Sequence, residues 1–151
     1  MGRVLAIFLV FSADLFAQAA AGNEKLDQKQ YAAAVEAYEK IPTAERDAVT
    51  LNRLGISYHF LKQFRSAENA YKSASAKDAQ YSDALNNLAA LYYSQQKFSD
   101  AERQIRRAME KNPESGVMRV NLRASQYARE NGRSAREAIN SFFKDNPLLI
   151  D

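Results

Sequence analysis

The sequence contains no cysteine, only 5 glycines and 3 prolines among its 151 residues, and a single histidine. Without cysteine the chain can form neither disulfides nor thiolate metal sites, and it cannot carry a lipid on an N-terminal cysteine. The scarcity of glycine and proline favours helix, because both residues weaken helices, and the abundant alanine loses no side-chain entropy in one. Alternating β-branched residues are also rare, so the sequence gives strands little support.

The sequence also lacks the residue patterns of common catalytic and cofactor sites. His59 is the only histidine, and no histidine or carboxylate four residues away accompanies it as a metal ligand. There is no G-x-x-x-x-G-K-[ST] or G-x-G-x-x-G loop for a nucleotide, and no G-x-S-x-G turn for a nucleophilic serine. We therefore expect no enzyme activity, no metal site and no cofactor.

The N-terminal residues have the three zones of a secretory signal. Arg3 gives a positive start, an apolar run follows over residues 4–11, and Ala17-Gln18-Ala19 has the small-x-small pattern of a cleavage site. Asp14 interrupts the apolar run well short of the about 20 residues that span a bilayer. We predict a signal peptide over residues 1–19 and a periplasmic or secreted protein. The alternatives are an uncleaved anchor and a buried first helix of a cytosolic protein.

The charge pattern gives weak support to nucleic-acid binding. The formal net charge is only +3, and glutamates are interleaved with the arginines beyond residue 100. Such a mixture is typical of a solvated helix surface. A nucleic acid or another acidic polymer is therefore an unfavoured partner, whose site would comprise Arg103, Arg106, Arg107, Arg133 and Arg136.

One motif recurs at steps of about 34 residues. The same small residue marks four copies: Ala34, Ala67, Ala101 and Ala135. In the two clearest copies, the upstream residues Leu51, Leu54, Gly55 and Tyr58 correspond to Leu85, Leu88, Ala89 and Tyr92. Their spacing places the large residues on one stripe of a helix, and the small ones allow two helices to approach closely. Each copy is therefore predicted to be a hairpin of two amphipathic helices.

This pattern closely resembles the tetratricopeptide repeat, which reads Leu-x-x-Leu-Gly/Ala-x-x-Tyr, an aromatic residue, Ala-x-x-x-Tyr/Ile-x-x-Ala and then Pro. Residues 48–81 and 82–115 match nearly throughout, residues 20–47 form a truncated copy, and residues 116–149 form a degenerate one. The resemblance implies an all-α fold over residues 20–151, a short right-handed α-solenoid of antiparallel helix hairpins.

The fourth copy departs from the pattern in its first helix. Arg119, Arg123 and Gln126 take places that are apolar or small in the family. Helix 117–131 is either a polar cap that ends the stack or an extension of the binding groove through Val117, Val120, Ala124, Tyr127 and Ala128. In either case we expect its packing to differ from the family pattern.

The resemblance implies that the first helices line a concave groove that binds a peptide or a segment of a partner protein. The residues expected to face it are Asn52, Arg53, Ile56, His59, Phe60, Asn86, Asn87, Tyr93, Asn121 and Tyr127. Asn87 and Asn121 would stack one repeat apart, as in the asparagine ladders with which some family members bind a peptide backbone. The alternative is that they are simply soluble groove residues. Arg53 breaks this ladder and could instead pair with an acidic group.

The carboxylate clamp of chaperone-binding relatives is not reproduced, because Asp83 and Asn87 stand where it needs basic residues. The sequence therefore favours a non-catalytic interaction module with protein or peptide partners. The alternative is a self-associating structural subunit of a cell-envelope assembly, a homo-oligomer formed through helix 117–131 or the tail at residues 146–151.

Overall fold

The computed structural model describes the backbone of residues 2–131 and the side chains of residues 13–131. Every regular element in that range is helical: α1 Gly2–Asp27, α2 Tyr31–Glu39, a 3-10 turn at Thr43–Glu45, α3 Ala48–Phe60, α4 Phe64–Lys77, α5 Ser82–Ser94, α6 Phe98–Lys111 and α7 Gly116–Asn131. The predicted all-α fold is thus confirmed. The second helix of the fourth copy, with Arg133 and Arg136, and the tail at residues 146–151 lie outside the described residues.

The chain divides after Asp78 into two compact units. In unit 1, α1 pairs with α2 and α3 pairs with α4, while α3 also packs against α2. In unit 2, α6 packs against both α5 and α7. The two copies that match the repeat best form the hairpins α3–α4 and α5–α6. No helix within the described part is both long and apolar enough to cross a membrane.

Three tight hairpin turns within residues 2–131 share one backbone conformation. A residue with positive φ follows each first helix: Lys29 (57°), Lys62 (59°) and Gln96 (65°). The next backbone N–H donates to the carbonyl five residues earlier, at 2.8–2.9 Å, as in a Schellman motif. Each second helix then begins with an aromatic residue: Tyr31, Phe64 and Phe98. The turn geometry therefore repeats with the sequence motif.

Two glycines set the distance between paired helices in unit 1. A Cβ atom on Gly55 would lie 2.6 Å from Cδ1 of Tyr71, and one on Gly22 would overlap Cε1 of Tyr38. Both rings are buried, Tyr38 at 0% and Tyr71 at 1% exposure. The tyrosines therefore occupy the volume that a side chain on either glycine would need. Gly22 and Tyr38 repeat the contact of Gly55 and Tyr71, which identifies α1–α2 as a copy of α3–α4.

The core of unit 1 includes residues on both sides of the predicted cleavage point. Leu15, Ala19 and Leu26 of α1 pack against a buried cluster of Ala34, Tyr38, Ile41 and Leu54. Leu15 and Ala19 precede the cleavage point, whereas Gly22 and Leu26 follow it. Cleavage after Ala19 would therefore remove part of this packing and leave the Gly22–Tyr38 contact in place.

The segment between α2 and α3 is fixed by side chains that bond to its backbone. Arg46 donates from Nε to the carbonyl of Ile41 at 2.9 Å, and the hydroxyl of Tyr58 on α3 donates to the Glu39 carboxylate at the end of α2. Burial raises the pKa of Tyr58 to about 12, and the hydrogen bond to Glu39 adds to the increase. The side chain of Asp47 caps α3 by accepting from the Thr50 N–H at 2.7 Å.

α7 packs on α6 through a polar network, which differs from the apolar contact in the family pattern. Glu102 on α6 is only 7% exposed and forms ion pairs with Arg106 and with Arg129 of α7, each at 2.7 Å. Gln126 donates to the same carboxylate at 3.4 Å. The Arg106 hydrogen bond is the main cause that holds the pKa of Glu102 below its usual value, although burial opposes it.

The buried side of α7 is also not the apolar stripe taken from the sequence. Met118, Ser125 and Ala128 are the buried residues of this helix, whereas Val117, Val120 and Ala124 are half-buried. Tyr127 is 49% exposed. Only Ala128 belongs to both sets, and Met118 and Ser125 lie 34 residues after Ala84 and Leu91, which are buried in α5. The expected departure from the family pattern stays a prediction. The choice between a cap and an extended groove stays open.

We expect Gly55→Ala to destabilise the protein by about 1–3 kcal/mol, because the new methyl group overlaps the Tyr71 ring and overpacking costs this much in a close-packed core. Thermal unfolding followed by circular dichroism measures the effect as a lower Tm. Gly116→Ala is the matched control, because its Cβ would meet only Arg119, at 4.0 Å. A Tm for Gly55→Ala that equals or exceeds the wild-type value would contradict the packing argument.

We expect Glu102→Gln to lower the stability at neutral pH by about 1–2 kcal/mol, because it removes charge-assisted bonds that join α6 to α7. The pKa of Glu102 is lower in the folded state, so its contribution is complete above the unfolded pKa of about 4.3. This contribution is lost as the pH falls through the lower folded value. Urea unfolding of both proteins between neutral and acidic pH should therefore show curves that converge. Glu110→Gln, an exposed site on the same helix, is the control. A constant difference at all pH values would mean that charge is not involved.

Candidate functional site

α3 carries five of the residues predicted to face a partner, and the structure places them at different depths. Asn52 is only 4% exposed and presents little surface. Arg53, Ile56 and His59 are half-buried, and Phe60 is 57% exposed. Arg53, Ile56 and Phe60 are spaced i, i+3 and i+7, so they lie on one side of the helix. We call these three residues the α3 face.

Arg53 lies beside a hydrogen-bonded pair from the first two helices. The Tyr38 hydroxyl donates to Oδ1 of Asn23 at 2.8 Å. Burial raises the pKa of Tyr38 to about 12, and the Arg53 guanidinium beside the hydroxyl opposes part of this increase. Among the ion pairs formed by the described residues, none includes Arg53. The guanidinium is therefore able to receive a carboxylate from outside the chain.

Four aromatic rings meet where the turns of the α1–α2 and α3–α4 hairpins lie together; we call them the aromatic turn patch. Phe60 stacks on Tyr31, with ring centroids 4.4 Å apart and planes inclined by 6°. The His59 ring lies beside Phe60, with ring centroids 6.3 Å apart, and meets the Phe64 ring edge-on, with centroids 6.1 Å apart. Phe60 and Phe64 remain exposed, at 57% and 37%. Burial lowers the pKa of His59, which favours the neutral ring.

In unit 2 the structure brings two of the predicted asparagines together. Nδ2 of Asn121 on α7 donates to Oδ1 of Asn86 on α5 at 3.0 Å. Asn87, the residue equivalent to Asn121 one repeat earlier, is half-buried. The bond between Asn86 and Asn121 joins two helices of the unit. The use of Asn87 and Asn121 as a ladder for a peptide backbone stays a prediction.

The two predicted tyrosines of unit 2 differ in their surroundings. Tyr93 packs against Phe98 at a centroid distance of 5.3 Å, and both rings pack against the fully buried Ala128 of α7. Tyr127 instead is half exposed. Tyr93 therefore belongs mainly to the packing between helices, and Tyr127 is the more accessible residue.

Sequence reasoning missed several residues of this region. Asn23 and Tyr38 support Arg53, and Tyr31 and Phe64 complete the aromatic turn patch. Tyr31 and Phe64 were recognisable as repeat positions, because each precedes the small Ala34 or Ala67 by three residues. That signal marks a place in the repeat and does not indicate exposure.

Within the described range no group of three or more potential metal ligands occurs.

Comparison with known proteins gives a family match and structural neighbours. Residues 61–125 match the family model described as tetratricopeptide repeat. Comparison with curated proteins gives no match. The first TPR of Spaghetti (RPAP3) bound to the HSP90 peptide SRMEEVD is 25% identical, with a TM-score of 0.74 over 80% of this chain and 96% of that one.

Two further solved structures agree on the fold. The first TPR domain of human RPAP3 is 24% identical, with a TM-score of 0.72 over 82% of this chain and 95% of that one. The second TPR domain of human RPAP3, in complex with the HSP70 peptide SGPTIEEVD, is 19% identical, with a TM-score of 0.67 over 74% of this chain and 98% of that one. The hairpin architecture inferred from the helices is thus also found in solved structures.

Proposed function

We propose that this chain, which matches the tetratricopeptide repeat model over residues 61–125 and folds like the solved domains of that kind, is a non-catalytic module that binds a segment of a partner protein. The RPAP3 domains support this proposal, since two of the similar structures hold a peptide from HSP90 or HSP70. The fold is generally a protein-binding scaffold. The specific partner of this chain has to be argued from its own side chains.

The observation that carries the proposal is the environment of Arg53. A half-buried guanidinium has lost part of its hydration, and it gains most from a bidentate carboxylate when no other anion pairs with it. The Tyr38–Asn23 pair beside it limits the positions that the guanidinium can adopt. An acidic side chain of a bound segment would complete the ion pair. Ile56 and Phe60, on the same side of α3, would contact the apolar part of that segment.

The asparagines of unit 2 suit the backbone of a bound segment. A side-chain amide both donates and accepts, so it can bond to the carbonyl and the N–H of an extended backbone. Asn87 is half-buried, and the Asn86–Asn121 bond holds a second amide pair in place. We assign backbone contacts to Asn87 and Asn121 for this reason.

The neighbours' own peptides are not proposed as ligands of this chain. Both end in the sequence EEVD. The clamp that family members use for such a carboxyl terminus needs basic residues where this chain has Asp83 and Asn87. A carboxylate at Arg53 alone lacks that second set of cations. The ligand is therefore proposed to be an internal acidic segment.

We expect peptides selected by the wild-type protein from a displayed random library to contain acidic residues, and Arg53→Gln to weaken their binding about tenfold or more. The reason is the loss of a charge-assisted bond pair, for which about 1.4 kcal/mol corresponds to a factor of ten. Fluorescence anisotropy titration measures the dissociation constants. Arg107→Gln, an exposed arginine on α6, is the matched control.

The two possible failures of this experiment have different meanings. A library that yields no specific peptide at all would contradict the proposed function. Peptides that bind Arg53→Gln as tightly as the wild type would leave a peptide-binding protein but remove Arg53 from its site.

We also propose that the protein is exported and that cleavage follows Ala19, on the pattern of its N-terminal residues. A chain that begins at Ala20 keeps Gly22, Asn23 and Leu26, and with them the contacts to Tyr38. It loses Leu15 and Ala19 from the cluster of unit 1.

We expect the intact mass of the protein from its native host, measured in separated cellular fractions, to correspond to a chain that starts at Ala20 outside the cytoplasm. The small residues Ala17 and Ala19 before that point are the physical basis, because a signal peptidase accepts only small side chains there. Full-length chain recovered from the cytoplasm would contradict export, and would assign Leu15 and Ala19 to a permanent first helix.

A further inference from the structure

The stacked rings of the aromatic turn patch have a counterpart in unit 2 that is built differently. In unit 1, Phe60 from the end of α3 packs on Tyr31, the first residue of α2. In unit 2, Ala128 near the end of α7 packs against Phe98, the first residue of α6. Ala128 lies 68 residues, or two repeats, after Phe60, and Tyr31 and Phe98 each begin a second helix, so the two contacts occupy equivalent repeat positions.

This comparison separates what packing requires from what Phe60 adds. Ala128 is fully buried at 0% exposure, so a methyl group is enough to close the contact in unit 2. Phe60 keeps 57% of its surface exposed even after stacking on Tyr31. Exposed aromatic surface is unfavourable in water, and contiguous apolar patches usually mark interaction sites. The ring of Phe60 is therefore larger than the helix contact needs, and its exposed part can bind another molecule.

The charges around the patch indicate which kind of molecule can bind there. Lys29 and Lys62 are the positive-φ residues of the two turns that present the rings. Together the turn segments 24–31 and 59–65 contain the cations Lys25, Lys29, Lys62 and Arg65, and the anions Glu24 and Asp27. Glu24 accepts a hydrogen bond from Gln28, which occupies part of its acceptor capacity. The surroundings are therefore basic on balance, and both lysines are exposed.

We propose that the aromatic turn patch binds an extended partner segment in which an aromatic side chain is flanked by acidic residues. The aromatic side chain packs on Phe60 and Tyr31, and the flanking carboxylates interact with Lys29 and Lys62. Aromatic pairs of this kind favour offset or edge contacts and contribute beyond their buried area. The proposal rests on the proposed function, since it names the chemistry of the segment that the module binds.

Phe60→Ala tests the proposal directly, because it installs the residue that the chain itself uses at the equivalent place in unit 2. The probe is a fluorescein-labelled pentapeptide with a central phenylalanine between two pairs of glutamates. We expect Phe60→Ala to weaken its binding about tenfold in an anisotropy titration, with a Tm close to that of the wild type. A second peptide with serine in place of phenylalanine should bind the wild type no better than the first binds Phe60→Ala.

The charge requirement is tested with Lys62→Glu. We expect weaker binding and a smaller loss of affinity on adding salt, because one attractive charge has become repulsive. Lys111→Glu makes the same change in net charge on an exposed residue of α6 and should bind as the wild type does. A peptide with lysines in place of the glutamates should not bind.

Several results would overturn the proposal. Absence of binding of the phenylalanine probe to the wild type would exclude this ligand chemistry, and unchanged affinity of Phe60→Ala would exclude this surface. If size-exclusion chromatography with light scattering shows a dimer that Phe60→Ala dissociates, a second copy of the chain covers the patch instead. Library peptides that depend on Arg53 but not on Phe60 would leave the proposed function intact and reject this inference alone.

Discussion

The close contact between a residue without a side chain and a buried tyrosine is the constraint on which the hairpins depend. Gly55 with Tyr71 and Gly22 with Tyr38 bring helix axes together until ring atoms occupy the place of a Cβ. A contact this close fixes the rotation of both helices about their axes, because only one side of the first helix lacks a side chain. The positions of all other residues on α3 then follow from 3.6 residues per turn. The exposure of Arg53 and Phe60 is thus a consequence of where Gly55 has to be.

The turns between paired helices are the second feature that fixes the geometry of the hairpins. Lys29, Lys62 and Gln96 adopt a left-handed conformation that is uncommon for residues other than glycine, and the same backbone bond closes each turn. Among the described residues, the helix that follows each of these turns, α2, α4 or α6, begins with an aromatic residue. In unit 2 the next helix covers that ring with alanine, and in unit 1 it adds a second ring. One scaffold geometry therefore serves either packing or binding, according to the residue that meets the ring.

The sequence was a good guide to the elements and a poorer guide to their partners. The hairpins, the small residues and the buried Leu51, Leu54, Leu85 and Leu88 follow from periodicity, because burial repeats with the helical turn. The Asn86–Asn121 bond and the ion pairs of Glu102 could not be predicted in this way, since periodicity gives the side of a helix but not the residue opposite. The repeat alignment related Asn121 to Asn87 one repeat earlier and gave no sign of its bond to Asn86. The polar contacts between α6 and α7 escaped prediction for the same reason, because a charged side chain has many partners within its reach.

Arg53 and Phe60 together restrict the ligand more than either residue alone. They are seven residues apart on α3, which corresponds to about 10 Å along a helix that rises 1.5 Å per residue. An extended peptide covers that distance with about three residues, because each adds roughly 3.3 Å. A segment that satisfies both sites therefore needs a carboxylate about three positions from an aromatic ring, with an apolar side chain near Ile56 between them. Neither feature is required for folding, since alanine replaces the ring at the equivalent contact and no ion pair among the described residues uses the guanidinium. A partner can therefore recognise the Phe60 ring, which is larger than packing needs. It can also recognise the Arg53 guanidinium, which has no ion pair among the described residues.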